Sequence, residues 1–183
     1  INKIGDVANC LQEVYCFPFA ELLVNKCLKN LSSTDLTVLL SCFTNLKLSD
    51  ENSVFSLSET NINDNTKEAI TNIDNLYNKY IDLFNRNKIP ITENLDKHLN
   101  LCDIVNEWCN SKTEIECKNV ISECYKYDIS LGDFVKAILK INNIANELEK
   151  AAILLEDLPL LQKIKEIPTL TLKHCVTNNS LYL

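Results

Sequence analysis

SLGDFVKAILKINNIANELEKAAILLED, running from Ser130 to Asp157, is the longest helical pattern in the chain. Phe134, Val135, Ile138, Ile141, Ala145, Leu148 and Ala152 recur at steps of three and four, the period of one buried helix face. Asp133, Lys136, Lys140, Asn143, Glu147 and Lys150 repeat at the same steps on the other side. Ser130 is placed to cap the first free amides. Asp133, three residues on, sets a carboxylate at the positive end of the helix dipole. Beyond Gly132 nothing breaks the run before Pro159. At about 1.5 Å per residue such a helix is about 40 Å long, enough to cross a domain. Its polar face has two readings: a solvated stripe on a central bundle helix, or a contact surface.

Outward from this stretch, the chain reads as all-α, a helical bundle around one long central helix. The 183 residues suffice for a single domain, 1–183, with a real core. Two glycines and four prolines are too few for the turns of a sandwich or barrel. A short helix is expected after Gly5, broken by Pro18, with a second over Ala20 to Lys29. Ser32 or Ser33 caps a third, whose core face is Leu36, Leu39, Leu40 and Phe43. Residues 47–66 are rich in Ser, Asn, Asp and Glu and read as a polar loop or insertion that gains little from burial. Helices are then expected from about Lys67 to Asn87, Leu95 to Cys109, Glu114 to Tyr125 and, after the long helix, Leu160 to Cys175.

A net charge of −7 and a single arginine, Arg86, argue against an autonomous nucleic-acid binder, because non-specific affinity comes from neutralising phosphates. The nine cysteines are odd in number and sit mostly in apolar helical patterns. Cys102, Cys109, Cys117 and Cys124 lie at intervals of seven, eight and seven, with none of the CxxC pairs that make a zinc knuckle, so they read as core. Free thiols, no secretory signal and no apolar run of membrane length point to a reducing intracellular compartment, cytoplasm or nucleus, and to no membrane partner. His98 and His174 stand in no catalytic arrangement, and no GxxxxGK[ST] loop is present. No catalytic, cofactor or metal site is therefore expected within this domain. A chain that lacks methionine and begins at Ile1 is expected to be a piece of something longer.

Five stretches, in order along nearly the whole length, carry a resemblance. KIGDVAN (Lys3 to Asn9) is similar to an opening written kGrvA, and STDLTVLLSCF (Ser33 to Phe43) to eivaLLScF. IVNEW (Ile104 to Trp108) is similar to vvyeW, GDFVK (Gly132 to Lys136) to GslvR, and the chain closes on SLYL. Together they resemble the DSHCT domain at the C-terminus of superkiller- and antiviral-type, exosome-associated DExH RNA helicases. The resemblance implies a bundle that closes the RNA channel beneath two RecA-like domains, which would lie upstream and hold ATP and Mg²⁺. It implies that the opening stretch is the ratchet helix, touching RNA as it is drawn through. By that register Lys136 takes the arginine of GslvR, Lys140 a later basic position, and Asn143 a position where many relatives carry glutamate. The implied partners are RNA, the upstream motor domains and exosome-type decay machinery. Leu131, Ser111 and His174 depart from the usual acidic residue, glycine and aspartate. The rival reading is a stand-alone helical scaffold or adaptor that binds a protein partner without touching RNA. It turns on whether the Phe134 and Ile138 side of the long helix is hidden or exposed.

Overall fold

The computed structural model of the chain describes residues 3–46, 48–49, 51–91 and 97–176. Among these the fold is an all-α bundle without strands. Its helices are α1 (Lys3–Ala8), α2 (Cys16–Val24), α3 (Ser33–Ser41), α4 (Asp64–Arg86), α5 (Cys102–Asn110), α6 (Glu114–Lys126), α7 (Leu131–Leu154) and α8 (Leu158–Thr171).

The long helix stands where its period puts it. All seven apolar residues of the expected face are buried, and the Ser130 hydroxyl accepts the Asp133 amide at 3.1 Å. Phe134 and Ile138 are fully hidden, so that side offers nothing to a partner. One polar residue shares this face: Asn142 donates to the Ile138 carbonyl and to the Thr171 hydroxyl, each at 2.9 Å, joining α7 to α8. Without those bonds a buried amide would cost about 1–3 kcal/mol.

α3 is buried on every side, beyond the four-residue face expected of it. It packs on α4, α5, α7 and α8. Its interior polar groups turn back on their own helix: Thr37 donates its hydroxyl to the Ser33 carbonyl at 2.8 Å and Ser41 to that of Val38 at 2.7 Å. Ser32 is the cap, closing a reciprocal box with Asp35. Asp35 also accepts bonds from Asn63 and Thr66 at the start of α4, so one carboxylate pins two helix origins together. Burial would push its carboxyl up, but the bonds from Ser32, Asn63 and Thr66 outweigh that and hold it below the usual range.

Several boundaries differ from the sequence reading. Pro18 falls inside the first turn of α2, where an amide has no helical partner to lose, and so starts that helix where a break was expected. α2, α4, α6 and α7 stop at Lys26, Lys88, Asp128 and Glu156, all in the left-handed region with φ between 54° and 58°. In each case the next amide reaches back to a carbonyl five residues earlier: Cys27 to Leu22, Ile89 to Phe84, Ile129 to Cys124 and Asp157 to Ala152, at 2.9–3.0 Å. This is the Schellman geometry, built without the glycine that normally marks it. Asp157 then caps α8 by accepting the Leu160 amide at 3.1 Å.

The expected helix from Leu95 to Cys109 begins only at Cys102; Leu95 lies outside the described residues, and His98 instead donates its amide to the Cys42 carbonyl at 2.9 Å. Within the polar stretch, Leu57–Glu59 forms a 3-10 turn and α4 already starts at Asp64. Ile62 and Thr66 are buried there, and the Val54 and Asn61 amides bond to Asn100 and Asp103, so this segment is docked on the bundle.

Candidate nucleic-acid interface

The outer face of α7 carries Lys136, Asn143 and Lys150 in the open, while Lys140 and Glu147 on the same face are partly covered. At a 24-residue length the helix spans about 36 Å, so these groups form a narrow polar track. Its charges are not equally available. Lys136 is 67 % exposed and only loosely paired, its ammonium 3.5 Å from Asp133. Lys140 is 22 % exposed and ion-paired to Glu13. Asn143 has an exposed side chain.

What covers the middle of the track is the turn between α1 and α2. One carboxylate oxygen of Glu147 accepts the backbone amides of both Gln12 and Glu13, at 2.9 and 3.0 Å. This grips the turn and delivers the Glu13 carboxylate to Lys140. The sequence reading brings Lys136, Lys140 and Asn143 to one face, and the structure keeps them there. It missed Glu147 and Glu13, whose meeting spans more than 130 residues of chain and leaves no local signal. Asp133, Glu13 and Glu147 balance the lysines Lys136, Lys140 and Lys150, so the track as a whole carries little net charge.

Beneath it lies Trp108, fully buried, with its indole N–H donating to the Thr171 carbonyl at 2.9 Å and its ring edge-on to Phe134 at 5.1 Å. The Lys173 ammonium sits 5.6 Å from the ring centroid and donates to the Ser111 carbonyl; burial lowers its pKa. Trp108 is thus a core anchor, beyond the reach of a stacking base.

Cys102, Cys109, Cys117 and Cys124 are buried in the α5–α6 region. Burial pushes the Cys109 thiol up to about 11 and that of Cys124 up to about 12, which is unfavourable for a thiolate nucleophile. Among the described residues no group of three metal-ligating side chains converges, and no helix is long and apolar enough to cross a membrane.

No curated protein matches the chain. The family profile of the DSHCT (NUC185) domain matches residues 1–177. Four of the stretches that carry the resemblance fall on α1, α3, α5 and the start of α7, and SLYL lies outside the described residues. With nearly its whole length matched, and with an all-α bundle beneath it, the chain belongs to the DSHCT domain family, found in the C-terminal regions of superkiller-like DExH helicases.

Proposed function

We propose that this domain serves an ATP-dependent DExH RNA helicase as the bundle that closes its RNA channel, with the outer face of α7 tracking the RNA backbone. The observation that carries this reading is the exposed track itself, with Lys136 and Asn143 open and Lys140 between them on one continuous helix. A lysine is a point charge that meets a phosphate without the planar fork of arginine, so each contact is loose and readily exchanged. That suits a strand in motion. The near-neutral balance of the track suits a surface that contacts one or two phosphates while other domains supply most of the affinity.

The chemistry of ATP belongs in this reading to RecA-like domains elsewhere in the protein. The two glycines here, Gly5 and Gly132, stand apart and form no phosphate-cradling loop. RNA decay alongside exosome-type machinery is the biological setting the family suggests.

The test is Lys136→Ala with Lys140→Ala in the full-length protein. Unwinding should fall several-fold more than RNA-stimulated ATP hydrolysis, and the salt dependence of RNA binding should flatten. Unchanged unwinding with an unchanged salt dependence would remove RNA from this face.

A further inference from the structure

The turn between α7 and α8 is more apolar on its outside than packing requires. Ile153, Leu154 and Leu158 are 58 %, 50 % and 66 % exposed, while the neighbouring Ala151, Ala152 and Leu160 satisfy the core. Single exposed aliphatics need no explanation, but three on one tight turn form a patch. Next to Leu158 in the chain, Asp157, Pro159 and Leu160 line a cavity of about 170 Å³ between the end of α2 and the start of α8, whose apolar walls are Leu23, Leu28, Pro159 and Leu160. A cavity of about 150 Å³ accepts a benzene-sized apolar group, so this one takes a single large aliphatic side chain.

The rim decides what that side chain belongs to. Lys26, Lys29 and Lys163 surround the opening, and Lys163 is held in place by donating to the Lys29 carbonyl at 2.7 Å. The acids there are Glu156 and Asp157, the latter also capping α8, so the lining carries three ammonium groups against two carboxylates. This small positive excess stands on a chain whose net charge is −7. We infer that the α7–α8 tip, with its cavity, docks an acidic peptide segment of a partner protein, one aliphatic side chain entering the cavity while flanking carboxylates meet Lys26, Lys29 and Lys163. The apolar anchor supplies most of the affinity, and the lysines set the sign of partner accepted. This site is separate from the α7 track and does not depend on the RNA reading.

The experiment is selection of a random peptide display library on the purified 183-residue chain, followed by fluorescence anisotropy with the enriched peptides. Enriched peptides should pair Leu or Ile with Asp or Glu, and their affinity should fall with salt. Leu158→Glu should weaken binding at least tenfold, as should Lys29→Glu combined with Lys163→Glu. All these side chains lie at the surface, and circular dichroism checks that each variant keeps the wild-type fold. Peptides lacking acidic residues, no enrichment at all, or binding indifferent to both variants would overturn the inference. A concentration-dependent dimer abolished by Leu158→Glu would overturn it too, by making a second copy the occupant.

Discussion

Glu13 competes with any phosphate for Lys140, and removing it should raise the affinity of this domain for single-stranded RNA. The pair is partly shielded, with side-chain exposures of 34 % and 22 %, and the backbone of Glu13 is already fixed by Glu147. Little conformational entropy is then left to oppose it, so the pair belongs near the upper end of the range for surface ion pairs, about 1 kcal/mol. About 1 kcal/mol is roughly a fivefold change in an equilibrium constant. Glu13→Gln keeps size and hydrogen bonding but removes the competing charge. It should tighten binding of a poly-uridine oligonucleotide about fivefold at low salt, measured by fluorescence anisotropy. One more phosphate contact should steepen the slope of log K against log salt by about 0.7. Lys140→Ala should weaken binding, and the double variant should match Lys140→Ala alone, since Glu13 acts only through Lys140. If Glu13→Gln changes neither affinity nor slope while Lys140→Ala still weakens binding, the competition is refuted. If neither variant has an effect, Lys140 is not an RNA contact.

Glycine at the strained helix stops should stabilise the protein. Glu156→Gly and Lys88→Gly each relieve a left-handed residue of about 1 kcal/mol of strain, less some chain entropy, and each should raise the melting temperature by about 1–3 °C. A lowered melting temperature would mean the native side chain contributes more than its backbone costs. Asp35, held below the usual carboxylate range, stabilises the fold above the unfolded value of about 4, and this contribution is lost as pH falls through the lower folded value. Urea midpoints should therefore drop, as the pH falls below about 4, more steeply in the wild type than in Asp35→Asn; parallel profiles would count against the Asp35 hub. Under native conditions iodoacetamide should label the exposed Cys27 well before Cys42, Cys102, Cys109, Cys117 or Cys124, with labelling followed by peptide mass spectrometry. Early labelling of Cys109 or Cys124 would contradict their burial.

Periodicity made the fold class and the inner face of α7 legible, because Phe134 to Ala152 repeat at the helical step regardless of what they pack against. The same step exposed Lys136 and Asn143 correctly. It could not show that α3 is enclosed on all sides, since the burial of Thr37 and Ser41 depends on bonds to their own backbone. Helix ends were misread where the usual punctuation is missing or misplaced. Lys26 stops α2 with no glycine, short of the expected Lys29, and Pro18 starts it, whereas α4 and α6, stopped the same way, end within one residue of the expected Asn87 and Tyr125. In the candidate site the missing half was tertiary: Glu147 looks like any polar helix residue until the Gln12 and Glu13 amides arrive from the far end of the chain.

Trp108 is the only tryptophan, and it sits where α5, α7 and α8 meet. Its emission should therefore be blue-shifted and should report on that junction alone. A titration with RNA or peptide that moves this signal means the perturbation has travelled inward through Phe134 or the Thr171 carbonyl. Binding that stays at the surface of α7, or at the remote end of α8, should leave the spectrum still. The aromatic cluster of Tyr15, Phe17, Tyr77, Tyr80 and Phe84, between α2 and α4, is optically distinct. Three of the six tyrosines, Tyr15, Tyr77 and Tyr80, lie in this cluster, so with Tyr125, Tyr127 and Tyr182 replaced by Phe the tyrosine and tryptophan signals read separate regions of the bundle. If one region loosens before the other on heating, the two emissions will part company, and the protein will have disclosed its own order of unfolding.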